Sequence, residues 1–221
     1  MANLITIEQK ILKKNADTAL ENRERIDAHG VVAVALASSP GSGKTALLER
    51  VIAVLGGRAR VAVIEGDVQT DRDARRIAAT GVPVVQIVTN GTCHLDARMV
   101  QEALPRIDLE RLDLLLIENV GNLVCPSSYE LGEHARVVVM STTEGEDKPL
   151  KYPSMFRKSQ VLVLNKVDLL PHLTYDIDEA IAFARQVNPG LAVFRTSCTT
   201  GEGIEAFAEW LLAEVRTRRP A

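Results

Sequence analysis

Ser38-Ser39-Pro40-Gly41-Ser42-Gly43-Lys44-Thr45 stands between an apolar run, Val31 to Ala37, and an amphipathic stretch beginning Ala46-Leu47-Leu48-Glu49-Arg50. A strand, a glycine-rich turn and a helix in that order make a phosphate-binding loop. Gly41 and Gly43 free the backbone to turn its N–H groups onto phosphate oxygens, with Pro40 and Ser42 in the same turn. The helix that follows adds the positive end of its dipole. Lys44 then reaches the β- and γ-phosphates, and the Thr45 hydroxyl ligates Mg²⁺. The full pattern opens on glycine where this chain has Ser38, so the reading rests on the strand before the loop and the helix after it.

Outward from that loop, short apolar runs alternate with helical stretches. The runs are Val31 to Ala37, Val61 to Glu65, Val84 to Val88, Leu114 to Glu118, Val137 to Met140, Val161 to Leu164 and Ala192 to Arg195. Between them, helices are expected over Lys44 to Leu55, Asp71 to Ala79, Asp96 to Ala103, Asp178 to Val187 and Ile204 to Arg216. Continuous apolar strands separated by helices predict an α/β fold with a mostly parallel central sheet flanked by helices. Residues 31–221 read as one nucleotide-binding G domain. Residues 1–30 read as an N-terminal surface helix belonging to it, because aliphatics recur at Ile11, Leu12, Ala16, Ala19, Leu20 and Ile26 between about Ile5 and Asp27. Asn119 to Glu133 and Thr142 to Lys158 are rich in Gly, Pro, Ser and charge and are expected to be irregular, functional loops.

The sixth apolar run ends in Asn165-Lys166-Val167-Asp168. A carboxylate at Asp168 accepts hydrogen bonds from the N1–H and the exocyclic amine of guanine, whereas adenine leaves it unpaired. Together with the phosphate loop this predicts GTP and GDP as ligands, held by Asn165, Lys166 and Asp168. Ser197 and Cys198, after the last strand, are placed to close over the base. Two acidic strand ends are candidates for the ion site by analogy with other P-loop enzymes. Glu118 opens Glu118-Asn119-Val120-Gly121, a Walker B and switch II pattern with Glu for Asp, and Gly121 would lend its N–H to the γ-phosphate. Asp67 would position Mg²⁺ or the attacking water. The expected catalytic set is therefore Lys44, Asp67, Glu118 and Gly121, and the Mg²⁺ set Thr45, Asp67 and Glu118. The blander reading of each carboxylate is a helix cap or a solvated loop residue. Asn122 stands where a water-orienting glutamine would follow Gly121, which predicts slow intrinsic turnover.

Composition narrows the partners. Lys plus Arg number 26 against 29 Asp plus Glu, so the chain lacks the basic excess of a nucleic-acid binder. No run approaches the roughly 20 apolar residues that cross a bilayer, and the N-terminal residues lack a secretory pattern, so a cytoplasmic protein is expected. Three cysteines, Cys93, Cys125 and Cys198, are an odd number in a reducing compartment, which disfavours structural disulfides and leaves thiol or metal chemistry open. Cys93 and His94 are adjacent, and Cys125 follows switch II. A thiolate and imidazole set suits Zn²⁺ or Ni²⁺. The competing reading makes the cysteines small buried residues.

Several long motifs resemble one family in order. They are Ser38 to Thr45, Glu65 to Thr70, Cys93-His94-Leu95-Asp96-Ala97, Glu118 to Pro126 and Thr143 to Pro153, and together they are similar to the hydrogenase nickel-incorporation GTPases, the HypB family. The resemblance runs from about Ala33 to the C-terminus. It implies the fold shared with signal-recognition and MinD-type NTPases, the SIMIBI class. It implies a GTPase that dimerises when GTP binds and helps deliver nickel to the [NiFe]-hydrogenase large-subunit precursor, with nickel-delivery partner proteins. It also implies that two subunits contribute Cys93, His94 and Cys125 across a dimer interface, since adjacent ligands and one distant cysteine are too few for one chain. The cysteine-rich or histidine-rich N-terminal stretches of some members have no counterpart here, and His29, His134 and His172 read as ordinary polar residues.

Other readings compete. A urease accessory GTPase shares the plan and also handles nickel, but its Cys-Pro-His is replaced by contiguous Cys93-His94. The same cysteine and histidine set argues against a B12-enzyme chaperone. A small-molecule kinase has little need of the guanine-reading Asn165 to Asp168, and a pure storage or scaffold module has no need of turnover.

Overall fold

The computed structural model describes residues 7–218, with side chains from residue 9. The expected helix start near Ile5 and the ends of both proposed domain ranges lie outside the described residues. Seven strands, β1 (Val32–Ser38), β2 (Val61–Asp67), β3 (Val84–Val88), β4 (Leu114–Glu118), β5 (Ala135–Ser141), β6 (Val161–Asn165) and β7 (Ala192–Arg195), form one sheet. Their order is β3-β2-β4-β1-β5-β6-β7, and every pairing is parallel. Among the described residues, eight α-helices flank it: α1 (Ile7–Asp27), α2 (Lys44–Leu55), α3 (Arg72–Ala78), α4 (Ala97–Ala103), α5 (Lys148–Lys151), α6 (Pro153–Lys158), α7 (Ile177–Val187) and α8 (Ile204–Arg218).

Side chains alternate across the sheet, so each strand serves two cores. Val32, Val34 and Leu36 of β1 join Val61 and Val63 of β2 and Leu114 and Leu116 of β4 against α2 and α8. Ala33, Ala35, Ala62, Ile64, Leu115 and Ile117 face the other way, onto Ile26 of α1 and Val100 and Ala103 of α4. A third cluster packs Val138, Met140, Leu162 and Leu164 against Met155 and Phe156 of α6 and Ala180, Ile181 and Ala184 of α7. The same alternation puts Glu65, Asp67 and Glu118 on the α2 face. Because all strands run in one direction, their carboxyl ends share one edge of the sheet, the edge where ligands bind in open α/β folds.

Two stretches expected to be irregular are more regular than that. Thr142 to Lys158 holds α5 and α6, and Asn119 to Glu133 holds a 3₁₀ turn at Cys125–Ser128. Pro149, Pro153 and Pro126 sit in first turns, where a missing N–H costs nothing, so proline marks helix starts there and not loops. Among the described residues, no helix is long and apolar enough to cross a membrane.

Candidate nucleotide and metal sites

The phosphate loop is fixed by the sixth strand as well as by its own turns. Gly43 has φ +93°, and a Cβ there would meet Asn165 Nδ2 at 2.6 Å. That amide is close because it donates to the Ser42 carbonyl at 3.0 Å. Lys166 adopts a left-handed φ of 64°, a strained choice for a residue with a side chain, and its Nζ donates to the Gly41 carbonyl at 2.7 Å. Asn165 and Lys166 thus brace the loop from behind. Thr196 Oγ1 donates to Asn165 Oδ1 at 3.1 Å, and Ser197 Oγ donates to Asp168 Oδ1 at 2.6 Å. The segment after β7 therefore holds the Asn165-to-Asp168 segment in place. Cys198 lies in the same corner, half-buried, with its thiol pushed up by burial.

Lys44 is only 8% exposed, and its Nζ donates to Ser38 Oγ at 2.8 Å. Burial lowers its pKa, with Glu118 acting against that shift. A cleft of about 520 Å³ opens here, lined by the loop, Glu65, Asp67, Asp73, Arg76, Glu118, Gly121 and Lys166. Gly121 backs onto Pro40, where a Cβ would lie 3.0 Å from the Pro40 Cα. Asp168 and Ser197 line no part of this cleft.

Glu118 accepts from Thr45 Oγ1 at 2.8 Å through Oε1, while its buried Oε2 has no hydrogen-bond partner. Burial pushes its pKa up. An orphaned carboxylate oxygen beside a hydroxyl is a fit for Mg²⁺, which prefers a few hard oxygen ligands and completes its shell with waters and phosphates. Asp67 accepts from the N–H groups of Gln69 and Thr70 and from Thr70 Oγ1. Burial works to raise its pKa, but those bonds outweigh it and leave the group lowered, hence ionised. In the sequence, Glu65 has a place at a strand end and in a family-like motif but no role. Burial, and then the Glu118 charge, push it up to about 8.

Cys93 Sγ, His94 and Cys125 Sγ come together within one chain, with one ligand atom from each lying within 4.8 Å of the others. The two sulfurs are 3.0 Å apart, and His94 Nδ1 is 3.8 Å from Cys93 Sγ. The His94 ring packs on Tyr129 at 4.1 Å between centroids, and burial lowers its pKa, which keeps the imidazole neutral and able to ligate. The hydrogen bond with Cys93 raises the Cys125 pKa. Three donors leave one position of a tetrahedral or square-planar shell open.

Sequence reasoning put Cys125 just after switch II but did not show the contacts that tie the two sites together. Asn119, next to Glu118, accepts from the Leu95 N–H at 2.9 Å, two residues beyond Cys93. Leu95 in turn packs on Gly66, where a Cβ would sit 2.8 Å from its side chain. Asn122 forms a β-bridge with Ser38 and accepts from Val124 N–H, just before Cys125. Lys148 Nζ reaches Ser39 Oγ at 2.6 Å and Glu144 at 2.9 Å, whereas Lys151 pairs with Asp147 away from the loop.

Comparison with known proteins gives the family. The model of the CobW/HypB/UreG nucleotide-binding domain matches residues 32–195. The hydrogenase maturation factor HypB of Azotobacter vinelandii is 54% identical over 98% of this chain and 72% of its own length. A hydrogenase/urease maturation factor HypB of Helicobacter hepaticus is 40% identical over 94% of this chain and 86% of its own. A crystal structure of HypB from Helicobacter pylori in complex with nickel superposes with a TM-score of 0.89 at 37% identity, covering 94% of this chain and 98% of that one. At 13% identity, a signal recognition particle 54 kDa protein from Aeropyrum pernix shares the fold with a TM-score of 0.59, over 85% of this chain and 49% of its own. Fold and site define a P-loop GTPase of the SIMIBI class. The chain belongs to the HypB family of hydrogenase maturation GTPases.

Proposed function

We propose that this GTPase holds nickel at Cys93, His94 and Cys125 and hands it on during [NiFe]-hydrogenase maturation, under control of its nucleotide state. The convergence of two sulfurs and an imidazole beside switch II carries this reading. Pro40, Gly41, Ser42, Gly43, Lys44 and Thr45 cradle the phosphates, and Asn165, Lys166, Asp168, Ser197 and Cys198 form the guanine end. Lys44 leaves Ser38 to meet the β- and γ-phosphates, and the Gly121 N–H meets the γ-phosphate. Thr45, Glu118 and Asp67 would hold Mg²⁺, which neutralises charge on the phosphate oxygens. Nickel is cargo in this scheme; Zn²⁺ suits the same donors.

The open position at the thiolate site is supplied by a second copy of the chain in a GTP-dependent homodimer. Residues 31–221 act as the G domain and residues 1–30 belong to it, an arrangement supported by the packing of α1 against α4 and β1. The setting is the cytoplasm, and the partners are nickel-delivery proteins and the hydrogenase large-subunit precursor, with no role for nucleic acid or membrane. The dual-purpose Helicobacter hepaticus relative favours urease maturation as a second reading. The experiment is to measure size and bound Ni²⁺ with GDP and with a non-hydrolysable GTP analogue. A dimer with altered nickel affinity is expected in the GTP state, and equal size and affinity in both states would overturn the proposal.

A further inference from the structure

We propose that Glu65 is a further cation-holding residue of the nucleotide site, acting with Asp67 and Asp73 on the divalent ion that accompanies GTP. The inference rests on the Mg²⁺ reading above and extends it to a residue outside the Thr45, Asp67 and Glu118 set.

Glu65 and Glu118 are register partners on adjacent parallel strands and share the α2 face. Glu65 is 2% exposed, and its Oε2 has no hydrogen-bond partner. A buried carboxylate oxygen without a donor is costly unless something positive meets it. Lys44 is engaged by Ser38, Arg76 by Glu49 and Asp73, and Lys166 by Gly41. One oxygen each from Glu65, Asp67 and Asp73 lies within 4.8 Å of the others, and all three side chains line the cleft with Glu118. Four carboxylates facing a pocket that must accept a triphosphate leave it short of positive charge. An all-oxygen set of this kind selects Mg²⁺ or Mn²⁺ over softer ions. Asp67 ends β2 and Asp73 lies in the first turn of α3, so an ion shared with Glu65 also fastens the intervening segment to the sheet.

The test is Mn²⁺ binding to the GDP complex, read by electron paramagnetic resonance, together with thermal melting of the nucleotide-free protein. E65Q keeps the volume and removes the ability to ionise and meet a cation. Mn²⁺ affinity at least about tenfold weaker is expected, with the melting temperature unchanged or higher because an unpaired buried carboxylate is gone. Equal Mn²⁺ affinity in E65Q and wild type overturns the proposal. So does an E65Q protein that melts lower or fails to fold, since Glu65 would then serve the fold. Wild-type protein that binds GDP but no Mn²⁺ removes the Mg²⁺ reading itself, and this inference with it.

Discussion

The Ser197 hydroxyl donates a 2.6 Å hydrogen bond to Oδ1 of Asp168, and its oxygen in turn accepts from the N–H groups of Thr199 and Thr200. The carboxylate proposed to read guanine is thus aimed by a loop that is itself fixed. Asp168→Ala is expected to cost about 1–3 kcal/mol of GTP binding and to bring GTP and ATP affinities close together. Ser197→Ala, which loosens the carboxylate without removing it, is expected to cost about 1 kcal/mol. Competition titrations with both nucleotides check this, and a retained guanine preference in Asp168→Ala would refute the assignment.

Cys125 and Cys93 approach each other from two loops, so neither serine variant leaves a bidentate sulfur set. Cys93→Ser and Cys125→Ser are each expected to diminish the sulfur-to-nickel charge-transfer absorption, with only the double variant losing it, and to weaken Ni²⁺ binding by more than about tenfold. Guanine nucleotide affinity is expected to stay within about twofold, because neither thiol lines the phosphate cleft. Ultraviolet difference spectra and nucleotide titrations measure the two effects separately.

Asn119 is one direct link between the sites, joining the Glu118 strand end to the Leu95 backbone. Asn119→Ala strands the buried Leu95 N–H and is expected to cost about 1–3 kcal/mol of stability. Its more telling effect is on the ratio of Ni²⁺ affinities in the GDP and GTP-analogue states, which is expected to fall toward one. An unchanged ratio would show that the coupling runs elsewhere.

His134 makes one contribution to the pH dependence of stability, beside that of Glu65, whose carboxyl is pushed up to about 8 by burial and so acts in the opposite direction. The His134 Nδ1 accepts from the Ala33 N–H at 2.9 Å, so its Nε2 holds the proton shared with Asp27 at 2.6 Å, and the ring is neutral. Burial lowers its pKa; Asp27 opposes that shift, and Arg23 and Arg218 add to it. Below the unfolded value of about 6.5 the unfolded chain binds a proton that the folded chain resists. The stability His134 contributes is therefore present above that pH and lost as pH falls through it toward the folded value. His134→Gln is expected to flatten the fall in melting temperature between about pH 7 and pH 5, and an identical slope would exclude the mechanism.

Much of the fold was legible because a parallel strand is buried on both faces and leaves an unbroken apolar run, as Val161 to Leu164 does. The strand order was not, since nothing local to β4 says that it lies between β2 and β1. The phosphate loop and Asn165 to Asp168 were legible because each is contiguous. Glu65 was not, because its environment is made by Glu118, 53 positions away in the chain and beside it only in the sheet. The meeting of Cys93 and Cys125 inside one chain was also hidden, and the residues alone had pointed to a set too sparse to close. Pro149 and Pro153 read as loop signals because composition does not distinguish a proline in a first helical turn from one in a coil.

Ser38, the one departure from the usual loop pattern, gives Lys44 somewhere to rest when no phosphate is present. The ammonium group already donates one hydrogen bond there, and an incoming nucleotide must compete for it. Filling the pocket is then an exchange of partners for Lys44, with a smaller net gain than a new bond would bring. A loop built this way trades grip for ease of emptying, which suits a protein that must return to its starting state after every turnover.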